Sequence, residues 1–212
     1  MPTNQKMKKD LVNRGRLVTA SFVLSMAIGG FLLNLGSPDK GPDGFLLTNL
    51  RPIDDNPKDP LFVTNRLIKD NMWTDLVITH HGQARGTIES IDHSHSQEGL
   101  GGLAWHFVVG NGNGIEDGVV FCGDRWIEQR LGSIKINSSA EGVLVIGLVG
   151  DGDKRRFTPR QIDSLVTLVH RLQAKLAIPA SRIHLHTDLE PTTAPGQYFV
   201  AGTFASQLIE KP

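Results

Sequence analysis

Two stretches carry side chains that could do chemistry together. DLVITHHG (75–82) ends on His80 and His81, and RIHLHTDL (182–189) carries His184 and His186. Histidine is the commonest metal ligand, and a catalytic zinc takes three protein ligands and keeps a fourth position for water. Alternate residues of a strand share a face, which points His184 and His186 the same way. Spacing alone leaves two readings standing: ligands converging on one metal, or polar residues at the ends of strands. Cys122 is the single thiol, so no intramolecular disulfide can form.

The elements that must position these residues are legible. DLVITH (75–80), AWHFVVG (104–110), GVVFCG (118–123), GVLVIGLVG (142–150) and RIHLHT (182–187) are short β-branched or aromatic runs bounded by Gly, Asp or Asn, which predicts five strands. GNGNGIEDG (110–118) joins the second and third as a hairpin turn. Its glycines lie between strands with no helix start behind them, so they form no phosphate-binding loop. One helix is expected over about 87–98. A better defined one starts at Thr158 as N-cap with Pro159 at the first helical position, then repeats Ile162, Leu165, Val166, Val169, Leu172 and Leu176 at helical spacing. A last helix is expected over about 200–209. Strands interleaved with helices around one sheet give an α/β domain, placed at 73–212.

The 212-residue chain has no formal net charge, but residues 1–16 hold Lys6, Lys8, Lys9, Arg14 and Arg16 against Asp10 alone. The body is therefore slightly acidic, without the basic face of a nucleic-acid module, and no nucleic-acid partner is expected. Between Arg16 and Asp39 no charge interrupts an apolar run, Leu17–Leu35, long enough for a spanning helix. Its basic flank predicts a cytoplasmic tail (1–16), a single transmembrane anchor (17–35) and a domain held in the periplasm or extracytoplasmic space. The rival reading is a cleaved signal peptide, for which FLLNLGS offers no convincing small-x-small site. Residues 36–72, rich in Pro, Gly and Asp at the start, read as a linker or extended arm whose FLLTNL patch could dock on the body.

The order of motifs narrows the chemistry. DLVITHHGQARGTIESIDHSH, GLAWHFVVGNGNGIEDG, DRWIEQRLGS, GVLVIGLVGDGD, FTPRQIDSLVTLVHRL and RIHLHTDLEPTTAPGQYF together resemble the zinc-dependent N-acetylmuramoyl-L-alanine amidase and peptidoglycan-recognition protein family, from about Trp73 to Phe199. The resemblance implies a mixed sheet flanked by helices. It also implies peptidoglycan as partner, zinc as cofactor, and ligands at the first His of H-H, the His of H-R-D and a following Cys or Asp. Those positions are His80, His186 and Ala194, and alanine has no lone pair to give. The Tyr of G-Y-H-F falls on Trp105, whose indole can donate but cannot act as a base. The His of G-x-H falls on Ile134, and Thr192 stands where some members have a catalytic Lys.

The site implied is thus a catalytic pair, Thr192 and a degenerate Trp105, beside metal positions His80 and His186. His81, Trp105 and His106 form the implied substrate-binding set. Replacement ligands, if any, would come from His81, His184, Asp188, Glu190 or Cys122, with Cys122 read as a packing residue and Asp188 as structural. His95 is expected to be structural or groove-lining, His93 and His170 solvated, and Trp73 and Trp126 core or groove aromatics. The function implied is a membrane-anchored domain that recognises peptidoglycan with impaired or lost hydrolysis. The alternative is an active zinc amidase cleaving between N-acetylmuramic acid and L-alanine.

Overall fold

The longest helix starts where the sequence places it. In the computed structural model, which describes residues 44–47 and 59–210, Thr158 caps Pro159–Leu176 by accepting the Gln161 N–H at 3.0 Å. Leu165, Val166, Leu168, Val169 and Leu172 are its buried face, and each apolar side chain of this kind contributes about 1.5–3 kcal/mol on burial. The helix ends at Ala177, which takes a left-handed conformation with φ 55°.

The strands form one six-stranded mixed sheet: β1 (Gly44–Leu47), β2 (Asp75–His80), β3 (Phe107–Val109), β4 (Val120–Gly123), β5 (Val143–Leu148) and β6 (Ile183–Leu185), in the order β1-β4-β3-β5-β2-β6. β3, β5, β2 and β6 run parallel to one another, while β4 pairs antiparallel with both β3 and β1. The helices are α1 (Ile88–Gln97), α2 (Asp124–Ile127), α3 (Pro159–Leu176) and α4 (Ala201–Ala205). Alternation along the strands divides the core into two layers. Leu76, Ile78, Phe107, Val109, Leu144 and Ile146 pack with α3 and Trp126, whereas Val77, Val108, Val143 and Val145 pack with Ile88 and Ile91 of α1.

Two expectations are refined. The arm expected at 36–72 docks on the body as an added strand: Gly44–Leu47, overlapping the FLLTNL patch, forms the edge strand against β4, and Leu61 is fully buried. Asp59 closes a tight, nearly buried ion pair with Arg171 of α3 and accepts the Leu61 N–H at 2.9 Å. The last helix is also shorter than expected, Ala201–Ala205. Among the described residues no helix is long and apolar enough to cross a membrane. The anchor expected at 17–35 and the tail at 1–16 lie outside the described residues.

Candidate functional site

The parallel strands β2 and β6 both end at one cavity. It has a volume of about 380 Å³, and His80, His81, Trp105, Ile134, His186, Thr192 and Ala194 all contribute to its wall. Crevices at the carboxyl ends of parallel strands are the usual ligand sites of open α/β sheets. Thus Trp105, Ile134, Thr192 and Ala194, the positions at which the resemblance implies other residues, open on one space. His106 does not, and this corrects its place in the substrate-binding set. It is fully buried, accepts the Val145 N–H on Nδ1 at 3.0 Å and faces the Arg130 carbonyl with Nε2 at 2.9 Å. Burial pushes its pKa down to about 3.

His80 accepts the Gly152 N–H on Nδ1 at 3.0 Å, tying the end of β2 to the loop after β5. Burial is the main cause of its lowered pKa, opposed by Asp153 and Asp151 nearby. The same loop is pressed against the TAPG turn: Gly196, at φ 102°, lies so close to the Gly152 backbone that a Cβ there would collide with it. The peptide bond between Ala194 and Pro195 is cis. His186 opens a short 3-10 turn after β6 (His186–Asp188) and uses both ring nitrogens. Nδ1 meets the Thr79 hydroxyl at 3.0 Å, and Nε2 meets the Glu190 carboxylate at 3.2 Å.

Trp105 forms the floor. A Cβ on Gly147 of β5 would overlap its indole, so the ring lies against backbone that only glycine leaves free. His95 of α1 packs edge-on against it, with ring centroids 4.6 Å apart, and accepts the Ala104 N–H on Nδ1 at 3.1 Å. Burial lowers the pKa of both His95 and His81. Thr192 accepts the Ala194 N–H on its hydroxyl at 3.3 Å. Ala194 itself is 4% exposed, a methyl set in the wall between Thr192 and the His186 turn.

The remaining candidates lie elsewhere. His184 reaches the other end of β2 and meets the buried Asp75 carboxylate at 2.9 Å. It shares a strand face with His186, as alternation requires, but not a site. Asp188 accepts the Leu185 N–H at 2.9 Å, which makes it a turn carboxylate. Cys122 is buried in β4, with its thiol pKa pushed up by burial. Trp73 and Trp126 are core residues whose N–H groups donate to Gln129 Oε1 and the Leu61 carbonyl. His93 is exposed, and the half-buried His170 meets the Gln207 carbonyl.

Thr79, Ser94, Glu98, Leu100 and Ser133 also line the cavity and were missed by the sequence reading. For Glu98 a signal existed: it lies three residues after His95, on the same side of α1. Among the described residues no three His, Cys, Asp or Glu side chains stand in a group that could hold a metal ion.

A family model described as N-acetylmuramoyl-L-alanine amidase matches residues 70–197. No curated protein sequence matches the chain. Among solved structures, the endolysin N-acetylmuramoyl-L-alanine amidase LysCS from Clostridium intestinale URNW shares the fold with a TM-score of 0.56 at 24% identity, over 65% of this chain and 86% of that one. Drosophila peptidoglycan recognition protein SD gives a TM-score of 0.52 at 16% identity, over 66% and 86%. Human PGRP-IBETAC, solved in complex with glycosamyl muramyl pentapeptide, gives 0.50 at 17% identity, over 60% and 79%. With the family model covering more than half of its length, the chain belongs to the N-acetylmuramoyl-L-alanine amidase family.

Proposed function

We propose that this chain is a membrane-anchored domain that recognises peptidoglycan through the cavity at His80, Trp105 and His186, with hydrolysis impaired or lost. The observation that carries the reading is Ala194. Its methyl stands in the cavity wall where the family places the third zinc ligand, and it offers no donor atom. The chemistry of the donor set does not fit a three-ligand zinc. His80 Nδ1 is taken by the Gly152 N–H, and both nitrogens of His186 have protein partners. A zinc that lowers the pKa of its water needs a closed ligand set with one open position, and two imidazoles do not close one. Trp105, with the hydroxyls of Ser133 and Thr192, leaves a surface suited to sugar and peptide groups. The anchor is supported by the basic flank and the uncharged Leu17–Leu35 run.

A second reading, an active zinc amidase, is favoured by one feature: the Glu190 carboxylate stands beside His186 in the same cavity and is the acidic group best placed to replace the lost ligand. In that reading the Thr192 hydroxyl helps stabilise the transition state.

One preparation tests both. The purified protein is assayed for zinc content and incubated with cell-wall sacculi. The expected outcome is co-sedimentation with sacculi, no released stem peptides, and far less than one zinc per chain. Release of stem peptides with stoichiometric zinc would replace this reading with the second. A tag after Pro212 should be accessible from outside the membrane; protection of the tag would refute the orientation.

A further inference from the structure

The charges around the cavity are one-sided. Its wall holds two carboxylates, Glu98 at the end of α1 and Glu190 after β6, and no lysine or arginine. Two nearby cations are engaged elsewhere. Arg125 gives its guanidinium N–H groups to the carbonyls of Leu100, Leu103 and Leu131, and Lys154 pairs with Asp151 at 2.6 Å. Arg85 lines a neighbouring space with Gly86, Thr87 and the 112–114 glycine turn, not this one. Asp153 stands behind His80 and adds negative potential.

A second feature points to the ligand. Trp105 is 6% exposed, and its indole N–H has no acceptor among the described residues. It is not one of the sealed, unpartnered polar atoms, which are His81 Nδ1 and Gln161 Oε1, and Trp105 is part of the cavity lining. A neutral donor on the floor and carboxylates on the rim suit a group that accepts at one end and donates at the other.

We infer that the cavity selects stem peptides whose carboxyl groups are carboxamides over the same peptides as free acids. The inference rests on the peptidoglycan-recognition reading and adds the substrate class. A carboxamide accepts from the Trp105 N–H, Ser133 or Thr192 through its oxygen and donates its NH₂ to Glu98 or Glu190. A carboxylate in the same place finds no lysine or arginine in the wall, loses its hydration and is repelled by the glutamates. With both glutamates exposed and solvent screening their field, the difference amounts to about tenfold in affinity at low salt.

The test is calorimetric titration of the full chain with muramoyl-L-alanyl-D-isoglutamine and with the corresponding D-glutamic acid compound. The carboxamide is expected to bind about tenfold tighter. In Glu98→Gln the gap should narrow, and in Glu98→Gln/Glu190→Gln it should close to about twofold through a gain by the free acid. Glu98→Gln leaves the Glu190 contact to His186 intact and keeps an acceptor for the Ser94 hydroxyl, so it chiefly removes one charge from the cavity rim. Equal binding of the two compounds to the parent protein, or tighter binding of the free acid, overturns the inference while leaving the recognition reading in place. Binding of neither compound, with no retention on sacculi, overturns both.

Discussion

Gly147→Ala is the change that most directly probes how the cavity floor is built. A Cβ at residue 147 would stand 2.5 Å from Trp105 Cδ2 and nearer still to Cε3 and Cζ3. Carbon atoms in contact sit about 3.5–4.0 Å apart, so the indole must retreat by more than about 1 Å. It has little room to do so, with His95 packed edge-on at 4.6 Å on one side and β5 beneath. Overpacking of a well-filled site costs about 1–3 kcal/mol, and a clash with a rigid ring against strand backbone belongs at the upper end, about 3 kcal/mol. The expected fall in the urea midpoint is correspondingly large. In a Trp105→Ala background the same substitution should cost less than about 1 kcal/mol, because the ring is gone and alanine is no worse than glycine inside a strand. The double-mutant cycle should therefore show a coupling of at least about 2 kcal/mol. Additivity within about 0.5 kcal/mol would refute the claim that Gly147 exists to seat Trp105.

Other expectations follow from the same geometry. His106 stays neutral when folded, with its pKa held down to about 3 against an unfolded value near 6.5, so the unfolded chain takes up a proton that the folded one refuses. Stability is full above about pH 6.5 and falls as the pH drops toward 3; by pH 5 the loss from this residue is about 2 kcal/mol. A His106→Gln protein whose urea midpoint falls just as steeply between pH 6.5 and 5 would refute the assignment. Asp59→Ala should cost about 3 kcal/mol by stranding the nearly buried Arg171 guanidinium. A loss under about 1 kcal/mol in thermal or urea unfolding would show that the segment before Trp73 is not integral to the fold. Ala194→Cys restores a thiolate to the cavity wall and should raise zinc affinity by on the order of 100-fold or more, measured by titration against a chromophoric chelator. Unchanged affinity would mean that residue 194 does not face the metal position.

Much of the scaffold was legible because its signals are strong and local. β2 runs over Asp75–His80 as read, and α3 carries both a cap and a long apolar stripe. Gly44–Leu47 was not legible as a strand. Four residues in a Pro- and Gly-rich context give too little alternation, and only the ladder to β4 makes them extended. α2, four residues long, is likewise below one useful helical period. In the site, the two metal positions and their altered neighbours came from the order of motifs, and the cavity gathers them. Glu98 could be read from its spacing to His95, but Thr79 and Ser133 come from separate segments with no shared spacing, and only the fold brings them together. His106 could not be placed from adjacency alone, because neighbours at a strand end can share a cavity, as His80 and His81 do; only the fold shows Trp105 at the cavity and His106 buried against Trp73.

The survival of His80 and His186 is therefore weak testimony for zinc, because each has a structural task in the folded chain. His80 satisfies the Gly152 N–H, and that loop in turn packs on the Gly196 turn which carries Ala194. His186 bridges the Thr79 hydroxyl and the Glu190 carboxylate, joining the end of β2 to the segment after β6. Removing either imidazole would leave a buried or half-buried partner unpaired, at a cost of about 1–3 kcal/mol. A position such as 194 has no comparable tie. Its methyl lines the wall and ties no other element in place. Under the proposed reading nothing in the wall calls for a ligand at residue 194, while the two histidines still tie the end of β2 to the loops around the cavity.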